Sequence, residues 1–282
     1  MKALIAVPAL PSYLDRYMAI RDKKQHATRR PLIAAHALLM QRYQDHALAI
    51  AQGTLAGLAK NSQAIALSEP LRACYDGATK PLKTLKDDIR SAQPQRQLKY
   101  CPMCGTTLPK TYDHYLPAVA FPEFAVHALN LVPCCALCNS MKDDDWLSAA
   151  GERQYLHAYA DILPDVQFVH VTLHEHPALR GVGATFSLQV PAGVPAAQLR
   201  LIESHFRRLR LLDRYNELGN DEIAEILADC RTYQEAGGAQ VQMFLHGRAT
   251  DRASVHGRNH WTAVLMSALA EHANLQPWID AA

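Results

Sequence analysis

Residues 101–142 read CPMCGTTLPKTYDHYLPAVAFPEFAVHALNLVPCCALCNSMK, and this stretch decides the fold. It contains five of the seven cysteines of the 282-residue chain. Four of them form two Cys-x-x-Cys pairs, Cys101 with Cys104 and Cys135 with Cys138. Two such pairs supply the four thiolates of a tetrahedral structural zinc site. The stretch therefore predicts a small module held together by Zn²⁺.

The residues around the two pairs refine the zinc prediction. Pro102 and Gly105 provide turn backbone at the first pair, and Gly105 is suited to a positive φ. Cys134 is one residue out of register, so we expect it to be a non-ligand or a poor substitute. Either pair alone is compatible with a redox dithiol, but two pairs separated by 30 residues favour zinc.

Several short motifs lie between and directly after the cysteine pairs. They are Asp113-His114 with Pro117, Asn130-Leu131, and Asn139-x-x-Lys142 directly after Cys138. In this order and with these gaps, the segment resembles the HNH endonuclease family, in its subgroup with two Cys-x-x-Cys knuckles. The match covers about 45 of the 282 residues. Where the family name expects a second histidine, this chain has Asn139, which weakens the expected metal affinity.

The resemblance implies both a fold and an activity. The implied fold is α+β, with a ββα-metal HNH module and a structural zinc site between a helical N-terminal region and a mixed, mainly helical C-terminal region. The implied activity is metal-dependent hydrolysis of phosphodiester bonds in nucleic acid, with DNA as the expected substrate. The resemblance gives catalytic roles to His114, to Asn130 in fixing the loop that orients His114, and to Lys142 near the phosphate. HNH modules with helical flanks also look like the nuclease components of bacterial anti-phage systems, which implies a partner ATPase.

The residue types support the same chemistry independently. Asp113 and Asn139 carry hard oxygen donors that suit a catalytic Mg²⁺ or Mn²⁺, whereas thiolates suit zinc. An ordinary histidine pKa of about 6.5 makes His114 a suitable general base near neutral pH. Neighbouring residues of a strand point to opposite sides, so Asp113 can hold the metal while His114 addresses the water. Asp143 lies at i+4 from Asn139 and is a further candidate ligand.

Each motif also has an ordinary structural interpretation. Asp113-His114 fits a turn with a solvent-facing imidazole, Asn139 fits a helix cap, and Lys142 fits a solvated helix start. Their occurrence together between two knuckles favours the nuclease. The alternative function is a non-catalytic zinc ribbon that binds nucleic acid or serves as an assembly subunit.

The charge is distributed unevenly along the chain. Residues 1–100 carry 16 Lys and Arg against 7 Asp and Glu, a net charge of +9, whereas residues 101–150 carry −3 and residues 151–282 carry −4. A basic block favours a polyanionic partner, although a solvated helical surface gives the same count. The candidate nucleic-acid-binding residues are three lysines on a helix predicted over Thr79–Ser91, namely Lys80, Lys83 and Lys86.

Hydrophobic periodicity predicts how the chain is organised around the module. The three predicted parts are a basic helical region over 1–95, the nuclease module over 96–150, and a mainly helical α/β region over 151–282. The upstream stripe that predicts one helix from Pro31 is Leu32, His36, Leu39, Tyr43, His46 and Ile50. A further helix is predicted over Gln63–Tyr75. The downstream predictions are strands over Val166–Leu173 and Ala184–Val190 and helices from Ala196, from Asn220 and over His256–His272.

Composition excludes several classes of protein. With 49% apolar and 20% charged residues, the chain is not disordered as a whole. Its longest charge-free helical stretch, between Asp45 and Lys60, holds 14 residues, fewer than the about 20 that a membrane span requires. Pro8 and Pro11 interrupt a faintly signal-like start, so we expect a cytoplasmic protein. The chain lacks a GxxxxGK phosphate loop, so ATPase activity would belong to a partner.

Overall fold

The structure, a computed structural model, describes residues 2–176 and 181–282. In this part of the chain the fold is mixed α and β, mainly helical, with two small two-stranded sheets, which confirms the predicted α+β class. The contacts divide the chain into two compact units. The first unit comprises residues 3–103 and 107–162, and the second comprises Lys2, residues 104–106 and the described part of residues 163–282. The helical N-terminal region and most of the predicted module therefore belong to one unit.

The first unit is helical apart from one strand pair. Its helices and strands are α1 (Tyr13–Arg21), α2 (His26–Ala34), α3 (His36–Ala51), α4 (Ser62–Ala66), α5 (Ser68–Ala73), α6 (Lys80–Ser91), β1 (Thr111–His114), β2 (Leu131–Cys134) and α7 (Ala136–Lys142). The helix predicted over Thr79–Ser91 is confirmed as α6. The helix predicted to begin at Pro31 instead begins at His26 and is broken at Ala35, where the backbone leaves helical geometry. The helix predicted over Gln63–Tyr75 is likewise two shorter helices, broken at Leu67. A hydrophobic stripe cannot reveal such one-residue breaks.

The predicted stripe is the buried face of α2 and α3. Leu32, Leu39, Tyr43 and His46 are all buried. The ring of His46 packs against that of Phe124, with 4.7 Å between the ring centroids. His46 is therefore a core residue, as its place in the stripe predicts.

Buried histidines give the first unit a predictable response to acid. His46 and His157 are fully buried, and both nitrogens of His46 and Nε2 of His157 have no hydrogen-bond partner among the described residues. Burial lowers the pKa of each to about 3. Between pH 3 and the unfolded pKa of about 6.5, the unfolded chain binds more protons than the folded chain. The free energy of unfolding is therefore highest above pH 6.5 and falls as the pH drops towards 3.

We expect each of the two histidines to cost about 2 kcal/mol of unfolding free energy at pH 5 relative to pH 7. Urea unfolding at the two pH values measures this loss. In His46→Phe, which keeps an aromatic ring against Phe124, the pH dependence should shrink by about half of that total, whereas His26→Phe on the exposed surface should leave it unchanged. Equal pH dependence in wild type and His46→Phe would contradict the prediction.

The strand pair and the helix after it position the motif residues. β1 and β2 are antiparallel, with Asp113 opposite Val132 and His114 opposite Leu131. All four residues of β2 are buried, which fixes the register of β1. Cys135 follows β2 directly and caps α7, because its Sγ accepts the Cys138 N–H. The sequence thus folds locally as two strands and a helix.

The second unit packs helices on a two-stranded sheet. Its elements are β3 (Val169–His176), β4 (Gly181–Leu188), α8 (Ala196–Arg208), α9 (Leu211–Glu235), α10 (Val241–His256), α11 (Trp261–Glu271) and α12 (Leu275–Ala281). The strands are antiparallel. Both overlap the predicted strands, but β3 begins three residues later and β4 three residues earlier than predicted, whereas the helix predicted from Ala196 is confirmed. The last predicted helix corresponds to α11, and its predicted start at His256 is wrong, because His256 is the final residue of α10 and α11 begins at Trp261.

The prediction of a helix beginning at Asn220 is wrong, because α9 begins at Leu211 and continues through Gly219. Gly219 allows close approach to the sheet, since a Cβ there would lie 3.2 Å from the Cβ of Ala184. Asn216 Oδ1 accepts the N–H of Phe186 at 2.7 Å. Gly and Asn, which usually end a helix, here fit this helix against a strand.

The helices of the structure can be compared with the length and hydrophobicity that a membrane span requires. In the described part of the chain, none combines the length and the apolar character that a membrane span needs.

Candidate functional site

Four buried cysteines are brought together at a single point. The Sγ atoms of Cys101, Cys104, Cys135 and Cys138 all lie within 4.8 Å of one another. Four clustered thiols in the Cys₄ pattern are a suitable ligand set for a structural zinc ion. The fold thus assembles the predicted ligand set.

Cys134 is the cysteine that the predicted register leaves out. It is absent from the four-thiol cluster, and its Sγ lies 3.3 Å from Thr111 Oγ1. Burial raises the pKa of its thiol to about 12, so the thiol stays protonated at neutral pH. Cys134 therefore has the environment of a core residue.

Hydrogen-bond donors surround the sulfur atoms of the cluster. The N–H of Cys135 donates to Cys101 Sγ at 3.3 Å, and the N–H of Cys138 donates to Cys135 Sγ at 3.4 Å. Arg214 on α9 donates to Cys104 Sγ at 3.2 Å. Donors of this kind offset the negative charge of thiolates and orient them towards a metal.

Gly105 shapes the first knuckle. Its φ is +70°, as its place in the motif predicts, and a Cβ there would lie 3.4 Å from the His260 ring. The indole N–H of Trp261 donates to the Gly105 carbonyl at 3.0 Å. The positive φ therefore favours glycine, whereas the space beside it would admit a Cβ in ordinary van der Waals contact.

A cleft of about 820 Å³ opens in the first unit beside β1. The residues of its wall that carry polar or charged groups are Ser68, Glu69, Arg72, Tyr75, Asp76, Thr111, Asp113, His114, Asn139, Ser140, Asp143 and Asp144. The predicted motif residues Asp113, His114 and Asn139 thus share one cleft. The N-terminal helical region supplies five further polar residues of the wall, Ser68 to Asp76, through α5 and the turn after it.

His114 is held in a single ring orientation. Its Nε2 lies 2.9 Å from the carbonyl oxygen of Ala125. A carbonyl oxygen only accepts, so Nε2 carries the hydrogen and Nδ1 keeps the lone pair of the neutral ring. Burial lowers the pKa of His114 to about 4, the hydrogen bond to Ala125 opposes this shift, and the nearby cations Lys142, Lys86 and Arg72 add to it. The ring is therefore neutral at pH 7 and able to accept a proton at Nδ1.

Asp113 forms a buried ion pair with Lys142. The Nζ of Lys142 lies 3.1 Å from Asp113 Oδ1 and also donates to the His114 carbonyl at 2.9 Å. Asp113 Oδ2 is buried at the cleft and has no hydrogen-bond partner among the described residues. Burial raises the pKa of Asp113, while the Lys142 ammonium acts in the opposite direction. One carboxylate oxygen is thus fixed, and the other is available to a ligand.

The resemblance implies a place near the phosphate for Lys142, and in the structure this side chain is buried against Asp113. It is fully buried, and it belongs behind Asp113 rather than to the cleft wall. Its Nζ is 5.8 Å from the Tyr115 ring centroid and 6.0 Å from that of Tyr155. In this position Lys142 orients Asp113 and the β1 backbone, whereas the resemblance expects it beside a phosphate.

Asn130 ties the loop between β1 and β2 together. Its Oδ1 accepts the Leu116 N–H at 2.7 Å, and its Nδ2 donates to the carbonyls of Leu116 and Phe124, both at 3.1 Å. Ala125, whose carbonyl binds His114, directly follows Phe124. This is the position that a loop-fixing role requires, and the role itself stays a prediction.

Further oxygen donors lie at the end of α7. Asn139 is half-buried, and Asp143 and Asp144 are exposed at the cleft wall. Asp143 has a positive φ of 45°, which turns the chain sharply away from the helix. All three side chains offer the hard oxygen atoms that Mg²⁺ or Mn²⁺ prefers.

The wall formed by α5 escapes sequence reasoning. Leu71 and Cys74 are buried and anchor this segment, which leaves Arg72 and Tyr75 at the cleft. The Tyr75 ring meets the His114 ring edge-on, with 4.6 Å between centroids. No short motif marks these residues. The sequence does place the apolar residues Leu71 and Cys74 three positions apart, with polar residues around them. This spacing predicts that one side of the segment is buried and the other exposed, but it does not predict what the exposed side faces.

The three predicted lysines of α6 differ in environment. Lys80 and Lys83 are exposed, whereas Lys86 is half-buried. The Lys86 Nζ lies 4.2 Å from the Tyr75 ring centroid and 5.5 Å from that of Tyr112. The structure thus presents two of the three lysines fully to solvent, and their nucleic-acid role stays a prediction.

Comparison with known proteins found one relative by sequence. The chain is similar to a phage protein. Protein ea31 of Escherichia phage lambda is 27% identical over 156 residues, which are 55% of this chain and 51% of ea31, so the chain spans about half the length of that relative. No family model and no solved structure matches the chain. The name of this relative states no activity.

Proposed function

We propose that the chain is a metal-dependent endonuclease of the HNH type that hydrolyses phosphodiester bonds of nucleic acid, with DNA as the expected substrate. The observation that carries the proposal is the pairing of two groups at one cleft. His114 is a neutral imidazole whose Nε2 is bound to Ala125, and Asp113 beside it offers a buried oxygen without a partner. A proton acceptor next to a hard anionic ligand is the minimum that metal-assisted hydrolysis requires.

The local architecture supports the HNH assignment. β1, β2 and α7 follow one another as strand, strand and helix, and the cysteine cluster joins the approach to β1 with the start of α7. Asp113 and His114 lie on β1, and Asn139 lies on α7.

The residues at the cleft fit a divalent cation. Asp113 Oδ2 is the orphaned buried atom that a cation would satisfy, and the side-chain oxygen of Asn139 lines the same cleft. Asp113 and Asn139 would hold Mg²⁺ or Mn²⁺, with Asp143 as a further candidate ligand. When bound, the ion would offset the negative charge that develops on the phosphate oxygens. Lys142 keeps Asp113 oriented for this task.

The protein's own residues then define a balanced reaction. A water oxygen attacks the phosphorus, and the water loses one proton to Nδ1 of His114. The bond between phosphorus and the leaving sugar oxygen breaks, and that oxygen takes a proton from solvent. One water is consumed for each bond cleaved, and His114 later returns its proton to solvent.

Purified protein should therefore cleave nucleic acid when Mg²⁺ or Mn²⁺ is present and stop when EDTA is added. The test presents double-stranded DNA, single-stranded DNA and structured RNA in parallel, with the His114→Ala protein as control. Binding without cleavage of any substrate would favour the alternative, a zinc-ribbon binding or assembly subunit. Association with an ATPase and a role in anti-phage defence stay predictions from the resemblance.

Salt dependence tests the basic helix α6. Each neutralised phosphate on B-DNA contributes about −0.9 to the slope of log affinity against log salt. Replacing Lys80 and Lys83 with glutamine should flatten the slope by up to about 2 and weaken all sequences alike. Lys86 should add less, because its ammonium is held against Tyr75.

The matched control is the exposed pair Lys23→Gln and Lys60→Gln, which removes the same charge elsewhere in the basic region. Fluorescence anisotropy in Ca²⁺ at several salt concentrations measures the slopes. If the slope for the α6 pair equals that of wild type, these lysines are solvated surface.

A further inference from the structure

Arg72 is a charged side chain of the cleft to which the proposed mechanism gives no role. Arg72 is the only lysine or arginine among the cleft-wall residues in the described part of the chain. It shares the wall with the carboxylates of Glu69, Asp76, Asp113, Asp143 and Asp144. Despite these neighbours, its guanidinium makes no hydrogen bond or ion pair with any residue in 2–176 or 181–282. The acidic cleft thus contains an exposed cation that no described residue pairs with.

The other cations near the cleft are committed elsewhere. Lys142 is buried on Asp113, Lys86 lies against the Tyr75 ring, and Arg90 donates to the Pro109 carbonyl at 2.7 Å. Lys142 therefore cannot take the phosphate-contacting place that the sequence resemblance gives it without breaking a buried ion pair. That leaves the reaction without a protein cation at the phosphate, except for Arg72.

The position of Arg72 is well defined by its surroundings. One turn of chain separates it from Tyr75, whose ring packs edge-on against His114 at 4.6 Å. Leu71 and Cys74, on the other side of the same segment, are buried. The segment that carries Arg72 is therefore fixed against the proposed general base, while the guanidinium itself stays in the cleft.

We infer that Arg72 binds the phosphate group that is cleaved, a role that rests on the proposed function. A planar guanidinium donates two parallel hydrogen bonds to phosphate oxygens and does so with a fixed charge. Charge on those oxygens increases as the water attacks, so the interaction is strongest in the transition state. The site would then combine a residue from the N-terminal helical region with residues from the predicted nuclease module.

The test compares Arg72→Ala and Arg72→Lys with Arg30→Ala, which removes an exposed arginine away from the cleft. Removing one transition-state donor typically lowers kcat by about 10² to 10³. We expect Arg72→Ala to lose about that much in kcat while KM changes less than about threefold. Arg72→Lys should recover part of the loss, because it restores the charge without the paired donors. Unchanged zinc content and thermal midpoint show that each variant is folded.

A second measurement keeps this inference separate from the proposed function. Affinity for a short single-stranded oligonucleotide is measured in Ca²⁺, where cleavage is not needed. If the wild type binds but does not cleave, the nuclease proposal fails, and a larger loss of affinity in Arg72→Ala than in Arg30→Ala still supports phosphate binding. Equal kcat in wild type and Arg72→Ala, or equal affinities in the two alanine variants of a non-cleaving protein, overturns the inference. A wild type that neither binds nor cleaves overturns both proposals.

Discussion

Replacing Cys135 with serine should abolish zinc binding and unfold the module, whereas replacing its neighbour Cys134 with serine should leave both intact. Cys135 Sγ belongs to the four-thiol cluster and also caps α7. Metal binding to a structural zinc site contributes about 10 to 16 kcal/mol in small zinc domains, so loss of one ligand removes most of the stabilisation of the module. Cys134 does not belong to the four-thiol cluster, and a serine at this position can still hydrogen-bond with Thr111.

The two variants form a matched pair, because they make the same change at adjacent buried positions. Metal analysis of the purified proteins should give about one zinc per chain for wild type and Cys134→Ser and a large deficit for Cys135→Ser. Thermal unfolding should show a fall of tens of degrees for Cys135→Ser and a few degrees for Cys134→Ser, since a polar replacement of a buried side chain costs about 1 to 3 kcal/mol. Equal sensitivity at both positions would mean that the ligand register is wrong.

Local spacing explains why the cysteine cluster and Gly105 could be predicted. Two residues between paired cysteines constrain the turn itself, and a positive φ at Gly105 follows from that turn. The strand that carries Asp113 and His114 is implied by the resemblance to the HNH family, whose motif occupies a short stretch of sequence. In each case the deciding interactions lie close together in the sequence.

The remaining features depend on contacts between distant parts of the chain. The wall that presents Arg72 and Tyr75 comes from α5 and the turn after it, about 40 residues before His114. From the sequence, Lys142 is compatible with a solvated helix start or with a phosphate ligand, and only the fold shows that it is buried in an ion pair with Asp113. At Gly219 the local signal for a helix end is overruled by packing against β4. Local patterns cannot carry such information, because each outcome is decided by a partner elsewhere in the fold.

The second large effect is expected at His114. His114→Ala should lower the rate of nucleic-acid cleavage by about 10² to 10⁴, which is the usual contribution of a general base. The reason is that Nδ1 is the proton acceptor of the ring, since Nε2 is committed to the Ala125 carbonyl. Single-turnover cleavage at saturating Mg²⁺ measures the effect, and circular dichroism with zinc analysis shows that the variant is folded.

Two further variants separate loss of the base from loss of structure or metal. His114→Gln keeps a side-chain donor that can reach Ala125 but has no basic nitrogen to accept a proton, so it should be as inactive as His114→Ala. Asp113→Asn should also be inactive but partly rescued by high Mn²⁺, because it weakens a metal ligand. Asparagine is preferable to alanine there, because its side-chain oxygen can still accept a hydrogen bond from Lys142, although both variants remove the charge that pairs with the buried ammonium. Cleavage at the wild-type rate by folded His114→Ala would move the general base elsewhere, and rescue of His114→Ala by Mn²⁺ to the same degree as Asp113→Asn would show that His114 acts through the metal.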